Sequence, residues 1–369
     1  MYVAIVGALG SRDNMREPTS RAAILPFPGD PFLFQFWYKM FVQNWRDDID
    51  MLYVYMNSTI GDDVADFLKS LVSRDPKVTF IYNPMQIEHG DAINRTLEVV
   101  KEDYIMLIED DCYIFTKAVI GKCFERIERG DVDVVASKRA SCGLEILEQA
   151  KIKWGLDYSG VGDTGCNFWP NLFFCKKSLL LQTDRNFGAR LWKAGEAIAE
   201  LDGYVCQTDQ AGDTFVNTSL QIRNLVPAAR ISYVAQYHGH PLDIEHYESR
   251  QYLFDGNAPW CHIGSLSSGI GGLIKDDQNR ALTRRNIDPP GGPTILGNGP
   301  TTEMELMEYE RRVQWWDMFY WHADPYGLSD LKRQYKEGID RIITDFKLSR
   351  KRIDRRKQIY IALINHDVR

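Results

Sequence analysis

Three adjacent carboxylates, Glu109, Asp110 and Asp111, stand directly after the apolar run Tyr104–Ile108. Such a short apolar run reads as a buried strand, and like charges gathered at its end repel one another unless something neutralises them. Successive side chains of an extended segment point to opposite faces, so Glu109 and Asp111 are expected on one face and Asp110 on the other. An all-oxygen donor set suits magnesium or manganese. A cation held there would bridge the two phosphates of a nucleoside diphosphate and stabilise it as a leaving group. The bland alternative is a solvated acidic turn.

Other polar residues are placed to do chemistry as well. Asp209 and Asp213 lie in Thr208-Asp209-Gln210-Ala211-Gly212-Asp213-Thr214. Asp213 is expected at the start of a helix over Asp213–Arg223, where free amides and the helix dipole favour a carboxylate. A capping carboxylate is also held rigid, so capping and proton abstraction are compatible roles. Further on, Ile231–Tyr237 reads as a strand that runs into His238, Gly239 and His240, and His262 precedes a Gly- and Ser-rich stretch. Asn57-Ser58-Thr59 reads either as a contact segment or as a plain turn. The loop from Gly7 and Ala8 to Arg12 would follow a strand and contact a nucleotide. Trp154, Tyr158, Phe168 and Trp169 offer aromatic faces on which a sugar could stack, and core packing explains some of them equally well.

These residues need elements to position them. Tyr2–Val6, Met51–Tyr55, Val78–Tyr82, Tyr104–Ile108 and Asp133–Ser137 read as strands. Phe32–Trp45, Val64–Val72 and Ala92–Val100 read as helices between the earlier ones. Alternation of this kind implies an α/β fold with a mostly parallel sheet flanked by helices, and in such sheets ligands sit outside the carboxyl ends of the strands. Residues 142–165 read as a loop and Leu172–Leu181 as regular structure. Gly264–Gly272 and Pro289–Pro300 read as loops. From Thr302 the chain turns helical, with a Thr302/Glu305 capping box and Leu306, Tyr309, Val313, Trp316 and Tyr320 recurring on one face.

Residues 78–115, from VTFIYNP through HGDAINRTLEV to YIMLIEDDCYIF, resemble the donor-site half of the family 2 glycosyltransferases of the GT-A fold. The resemblance implies a metal-dependent glycosyltransferase that uses a nucleotide-diphosphate sugar with Mn2+ or Mg2+. Glu109-Asp110-Asp111 stands where the Asp-x-Asp-like motif falls, which makes Asp111 the direct metal ligand and sets Glu109 and Asp110 near the metal or the ribose. Gly90 and Asn94 occupy the helix-start positions beside the donor. Asn57 and Ser58 resemble the second-strand segment, with Tyr55 or Met56 where an acidic residue usually binds the base. By the same resemblance Asp213 is the catalytic base of an inverting transfer, Asp209 its competitor, and His238, with His240 in reserve and His262 behind them, the histidine that returns to the metal. The domain is expected over residues 1–290, divided into a nucleotide-sugar half at 1–115 and an acceptor half at 116–290. Residues 291–369 form a linker and a helical C-terminal region.

The chain has 369 residues, 44% of them hydrophobic and 26% charged, which is enough for a full core. Its net charge of −7 argues against a general nucleic-acid binder. Seven cysteines without a Cys-x-x-Cys pair indicate neither a disulfide framework nor a zinc knuckle, so reduced thiols and a cytoplasmic setting are expected. No apolar run reaches the roughly 18 residues of a membrane span. Lys347–Lys357 carries seven basic residues and one acidic one, read either as a solvated helix face or as a surface that steers an anionic acceptor such as nucleic acid or an acidic glycan. Two alternatives to the transferase stay open. One is a sugar nucleotidyltransferase, since residues 7–12 echo a Gly-x-Gly-Thr-Arg loop without its Pro and Lys. The other is a non-catalytic nucleotide- or glycan-binding protein of the same fold.

Overall fold

The computed structural model describes residues 19–27, 30–57, 62–83, 85, 87–115, 117, 119–137, 142–155, 170–237, 250–254, 258–262, 302–322 and 329–365. The expected strand Tyr2–Val6 and the two expected loops Gly264–Gly272 and Pro289–Pro300 lie outside them. The first described strand is β1 (Arg21–Phe27), a position not anticipated, followed by α1 (Pro31–Asn44). Asp30 starts α1: its Oδ1 accepts from the amides of Phe32 at 3.0 Å and Leu33 at 2.8 Å, with Pro31 at the first helical position. A cap of this kind contributes about 1 kcal/mol, and Pro is pre-set for that site.

Strand and helix then alternate: β2 (Met51–Asn57), α2 (Asp62–Val72), β3 (Val78–Asn83), α3 (His89–Val99), β4 (Tyr104–Ile108), β5 (Cys112–Ile114), α4 (Val119–Glu128) and β6 (Val134–Ser137). Next come α5 (Leu144–Trp154), β7 (Leu172–Lys176) and the one-turn α6 (Lys177–Leu180). Short strands β8 (Arg190–Trp192), β9 (Ala197–Ile198), β10 (Tyr204–Val205) and β11 (Gln210–Gly212) lead to α7 (Val216–Leu225). The sheet closes with β12 (Ile231–Tyr237), β13 (Arg250–Phe254) and β14 (Ala258–His262), before α8 (Glu303–His322), α9 (Ser329–Asp345) and α10 (Arg350–Asn365). The expected loop at 142–165 is therefore helical over α5. Its inward residues Ile146, Leu147 and Ala150 are buried, and Gly155, at φ 62, stops it in the left-handed conformation.

The main sheet runs β3-β2-β1-β4-β7-β6-β12-β13-β14-β5. From β3 to β12 every strand points the same way except β7, which is antiparallel to both β4 and β6. This is the mostly parallel α/β architecture expected from the sequence. Side chains alternate across it with period two. Tyr104, Met106 and Ile108 of β4 join the core that contains α1, while Ile105 and Leu107 join the opposite core under α3 and α7.

The C-terminal helices share the first of these cores. Trp315 of α8 stacks on Tyr113 of β5 with centroids 5.4 Å apart and meets Tyr360 of α10 at 4.5 Å. Phe319 packs on Phe36 of α1 at 5.2 Å. The middle of α8 is buried on all sides, Gln314 and Glu310 included, so its apolar pattern is not a single face as expected. The buried charges of α8 draw in the basic run. Arg352 makes a bidentate pair with Glu310 at 2.6 and 2.7 Å, Lys357 pairs with Asp317 at 2.5 Å, and Arg350 with Asp340 at 2.7 Å. Much of that run is thus spent clamping α10 onto its neighbours, with Arg356 and Lys357 buried, which neither sequence reading anticipated.

Candidate active site

Because β1, β2, β3, β4, β6 and β12 are parallel, their carboxyl ends line one edge, together with the start of the reversed β7. Along it stand Asn83 opposite Asn57, the N-terminus of α1, the residues after Ile108, Ser137 and Asn171. β1 leads outward to β2 and β3 on one side and has β4 on the other, so the connection reverses between β1 and β4. Ligands of open α/β sheets bind at such a reversal.

Glu109, Asp110 and Asp111 emerge there. They do not continue the strand: the Cys112 amide donates to the Glu109 carbonyl at 3.1 Å, closing a turn with Asp110 and Asp111 at its centre. The alternation expected for an extended segment therefore stops at Ile108. Asp110 is 9% exposed and Asp111 4%, with Glu109 half-buried. That burial sets aside the solvated-turn alternative. Below the turn the Glu109 amide donates to the Asn171 carbonyl at 3.5 Å. Asn171 is fully buried, its Oδ1 takes the Ser137 hydroxyl, and its Nδ2 has no partner among the described residues. The Asn83 Nδ2 is likewise buried and unpartnered, while its Oδ1 accepts from the Met85 amide at 3.4 Å. Each orphaned donor costs about 1–3 kcal/mol, which makes such groups worth a functional explanation. Sequence reasoning missed both, since an isolated Asn carries no pattern.

The acidic turn flows straight into β5, and β5 pairs with β14 so that His262 lies opposite Cys112. The backbone of His262 is thus beside the residue that follows Asp111. His238, His240, Gly7, Ala8 and Ser58 lie outside the described residues, as do Tyr158, Phe168 and Trp169. β12, which leads to His238, ends on the same edge, with Val234 opposite Ser137. Among the described residues no three His, Cys, Asp or Glu side chains converge as a metal-ligand set.

Asp213 follows β11, which is held on both sides. Gly212 leaves no room for a side chain, as a Cβ there would meet the Trp192 ring at 2.6 Å. Glu145, in the first turn of α5, accepts from the amides of Gln207 at 2.7 Å and Thr208 at 2.9 Å and from the Gln210 side chain at 2.9 Å. The helix after Asp213 begins later than expected. Its cap position is Phe215, in the left-handed conformation at φ 74, and no side chain caps it. Asp213 instead accepts the Thr214 amide at 2.8 Å on its carboxylate and the Val216 amide at 3.1 Å on its carbonyl. A bulky residue at positive φ stores about 1–3 kcal/mol and persists only where its surroundings over-determine it. Here the Phe215 ring meets Phe173 at 4.9 Å and stacks on Phe187 at 5.5 Å.

Asp209 is exposed and latched: Lys193 reaches it at 2.8 Å and the Ala194 amide at 2.9 Å. The Lys193 hydrogen bond holds its carboxyl below the usual range. Gly90 and Asn94 sit in the first turns of α3 and pack on the segment 185–188, with the Asn94 side chain donating to the Arg185 carbonyl at 2.7 Å. Trp154 is half-buried between two cations, Lys153 at 5.3 Å and Arg223 at 5.5 Å from its ring.

The profile of glycosyl transferase family 2 matches residues 41–186. No curated protein matches the chain by sequence. Among solved structures, glucosyl-3-phosphoglycerate synthase from Mycobacterium tuberculosis in complex with phosphoglyceric acid is 13% identical with a TM-score of 0.35, covering 58% of this chain and 69% of that one. The mannosyltransferase PcManGT from Pyrobaculum calidifontis in complex with GDP-Man and Mn2+ is 14% identical with a TM-score of 0.34, covering 51% of this chain and 54% of that one. GalNAc-T7 with UDP, GalNAc and Mn2+ is 9% identical with a TM-score of 0.34, covering 46% of this chain and 38% of that one. No described helix is long and apolar enough to cross a membrane. Residues 41–186, which hold β2 to β7 and the buried acidic turn, thus carry the sequence pattern of glycosyl transferase family 2 on a mostly parallel α/β sheet.

Proposed function

We propose that the protein is a metal-dependent glycosyltransferase that moves a sugar from a nucleotide-diphosphate donor to a hydroxyl acceptor with inversion. The observation that carries this reading is the buried Asp110-Asp111 turn at the carboxyl edge, beside the β1/β4 reversal and inside the family-matched segment. Two buried adjacent carboxylates fit a hard divalent cation, manganese or magnesium, whose charge would offset their mutual repulsion. Asp111 and Glu109 would hold the ion, and Asp110 would contact its waters or the ribose. When bound, the ion would neutralise charge on the departing diphosphate. The His262–Cys112 register makes His262 the favoured nitrogen ligand, ahead of His238 and His240.

Asn57, at the end of β2, would meet the nucleotide, along with Ser58, Gly7 and Ala8. Among the described residues, the orphaned amides of Asn83 and Asn171 are donors on this edge that substrate oxygens would engage. Asp213 would take the acceptor hydroxyl proton as the anomeric carbon is attacked from the face opposite the leaving group. Its carboxylate accepts the Thr214 amide, whereas Asp209 is tied to Lys193. The half-buried Trp154 would offer a ring face on which a glycan acceptor could stack. The test is release of nucleoside diphosphate from UDP-glucose, GDP-mannose and UDP-N-acetylgalactosamine, each with manganese, magnesium or chelator. Chelator-sensitive release from one of them supports the reading. Pyrophosphate release from a nucleoside triphosphate and a sugar phosphate would replace it with the nucleotidyltransferase alternative.

A further inference from the structure

We propose that the segment 184–188 carries the placement of α3 to Asp213, so that Gly90 and Asn94 are positioning residues for Asp213 and not donor contacts. This rests on the base role given to Asp213 above. On the α3 side the approach is as close as backbones allow. A Cβ on Gly90 would meet the Gly188 nitrogen at 2.2 Å and the Phe187 carbonyl carbon at 2.5 Å. Asn94 donates to the Arg185 carbonyl at 2.7 Å, and Arg185 itself is held at φ 57. A side chain already engaged with backbone in this way is poorly placed to read a donor.

On the α7 side the same segment is stitched residue by residue. The Phe215 amide donates to the Phe187 carbonyl at 2.8 Å, and Thr218 Oγ1 to the Asn186 carbonyl at 3.2 Å. Asn217 donates to the Asp184 carboxylate at 3.0 Å, and the Asp184 amide donates to Gln221 at 2.9 Å. The Phe187 carbonyl and ring are therefore among the groups that hold Phe215 left-handed. Phe215 lies two residues beyond Asp213 and sets the turn in which the carboxylate accepts the Thr214 amide. A chain of direct contacts thus joins the start of α3 to the candidate base, and it has no slack at Gly90.

The test uses Gly90→Ala and Asn94→Ala in the full chain. Hydrogen exchange of the amides at 214–219 should quicken about tenfold, while exchange at 105–112 stays as in wild type. With the donor that turns over in the panel above, kcat should fall about tenfold while Mn2+–UDP or Mn2+–GDP affinity, measured by calorimetry, stays within about twofold. In an Asp213→Asn background Gly90→Ala should lower kcat no further, because both changes act on one group. Asn94→Ala removes a single exposed hydrogen bond and tests the segment even where Gly90→Ala does not fold. Unchanged exchange at 214–219 in Asn94→Ala overturns the inference. So do weakened nucleotide binding and kcat losses that multiply with Asp213→Asn, an outcome that leaves the base role standing. Wild-type kcat in Asp213→Asn alone refutes the base role instead.

Discussion

Asp213→Asn separates chemistry from scaffolding. A positioned base supplies about 10²- to 10⁴-fold in rate, equivalent to about 3–5.5 kcal/mol of barrier. The structural side of the substitution is small. Asp213 caps no helix, since Phe215 holds the cap position, and its carboxylate accepts the Thr214 amide at 2.8 Å. Asn keeps an acceptor there, so the loss at this bond is the difference between a charged and a neutral acceptor, about 0.5–1 kcal/mol. In a chain of this size that lowers Tm by roughly 1–3 °C. Asp209→Asn should do the reverse: it breaks an exposed, solvent-screened pair with Lys193 and leaves turnover alone. The assay is kcat for nucleoside diphosphate release beside a melting curve and Mn2+–nucleotide affinity for each variant. A kcat within about threefold of wild type in Asp213→Asn would refute the base assignment. A large loss in Asp209→Asn with unchanged affinity would transfer the role to Asp209.

The metal-ligand register predicts that His262→Ala raises the manganese concentration for half-maximal activity more than His238→Ala does; the opposite order returns the role to His238. Asp75 is held down to about 2, chiefly by its hydrogen bonds from Arg46. Its contribution is full above the ordinary carboxylate pKa and is lost as pH falls from about 4 towards 2. Asp75→Asn should therefore flatten the acid limb of stability by about 1–2 kcal/mol after solvent screening, read from denaturant midpoints. Glu310 is fully buried and pairs with the half-exposed Arg352 and the Ser349 amide, so Glu310→Ala should cost about 1.5–3 kcal/mol and loosen α10 before the sheet, seen as faster exchange in 350–365.

Strands β2, β3, β4 and β12 were legible because each is a short run rich in apolar and β-branched residues bounded by turn residues. β1 was not: Pro26 and Pro28 argue against a central strand, yet the β1–β4 ladder ends at Ile24 before the first of them. The Asp30-Pro31 helix start was the signal that a strand must precede it. β8 to β11 are two or three residues long and exist only through their partners, so no local pattern could reveal them. The acidic cluster was readable as chemistry, but its turn geometry was not, because the Glu109–Cys112 hydrogen bond depends on β5 reaching β14. The shift of α7 to Val216 was hidden for a similar reason. Nothing in Asp-Thr-Phe-Val announces a left-handed phenylalanine, which only the rings of Phe173 and Phe187 sustain. The basic run misled because its partners, Glu310, Asp317 and Asp340, lie elsewhere in the sequence and two of them are buried in α8.

The central claim is that the buried acidic turn holds a divalent cation on which nucleotide binding depends. Calorimetric titration of UDP and GDP into the protein, with manganese and with chelator, tests it when repeated on Asp111→Asn. That substitution keeps the size of a 4% exposed side chain and removes its charge. The account predicts saturable binding of one nucleotide with manganese, none with chelator, and a loss of at least about tenfold in manganese-dependent affinity in Asp111→Asn with the fold retained. Nucleotide binding of equal strength with chelator, or unchanged manganese dependence in Asp111→Asn, would contradict it.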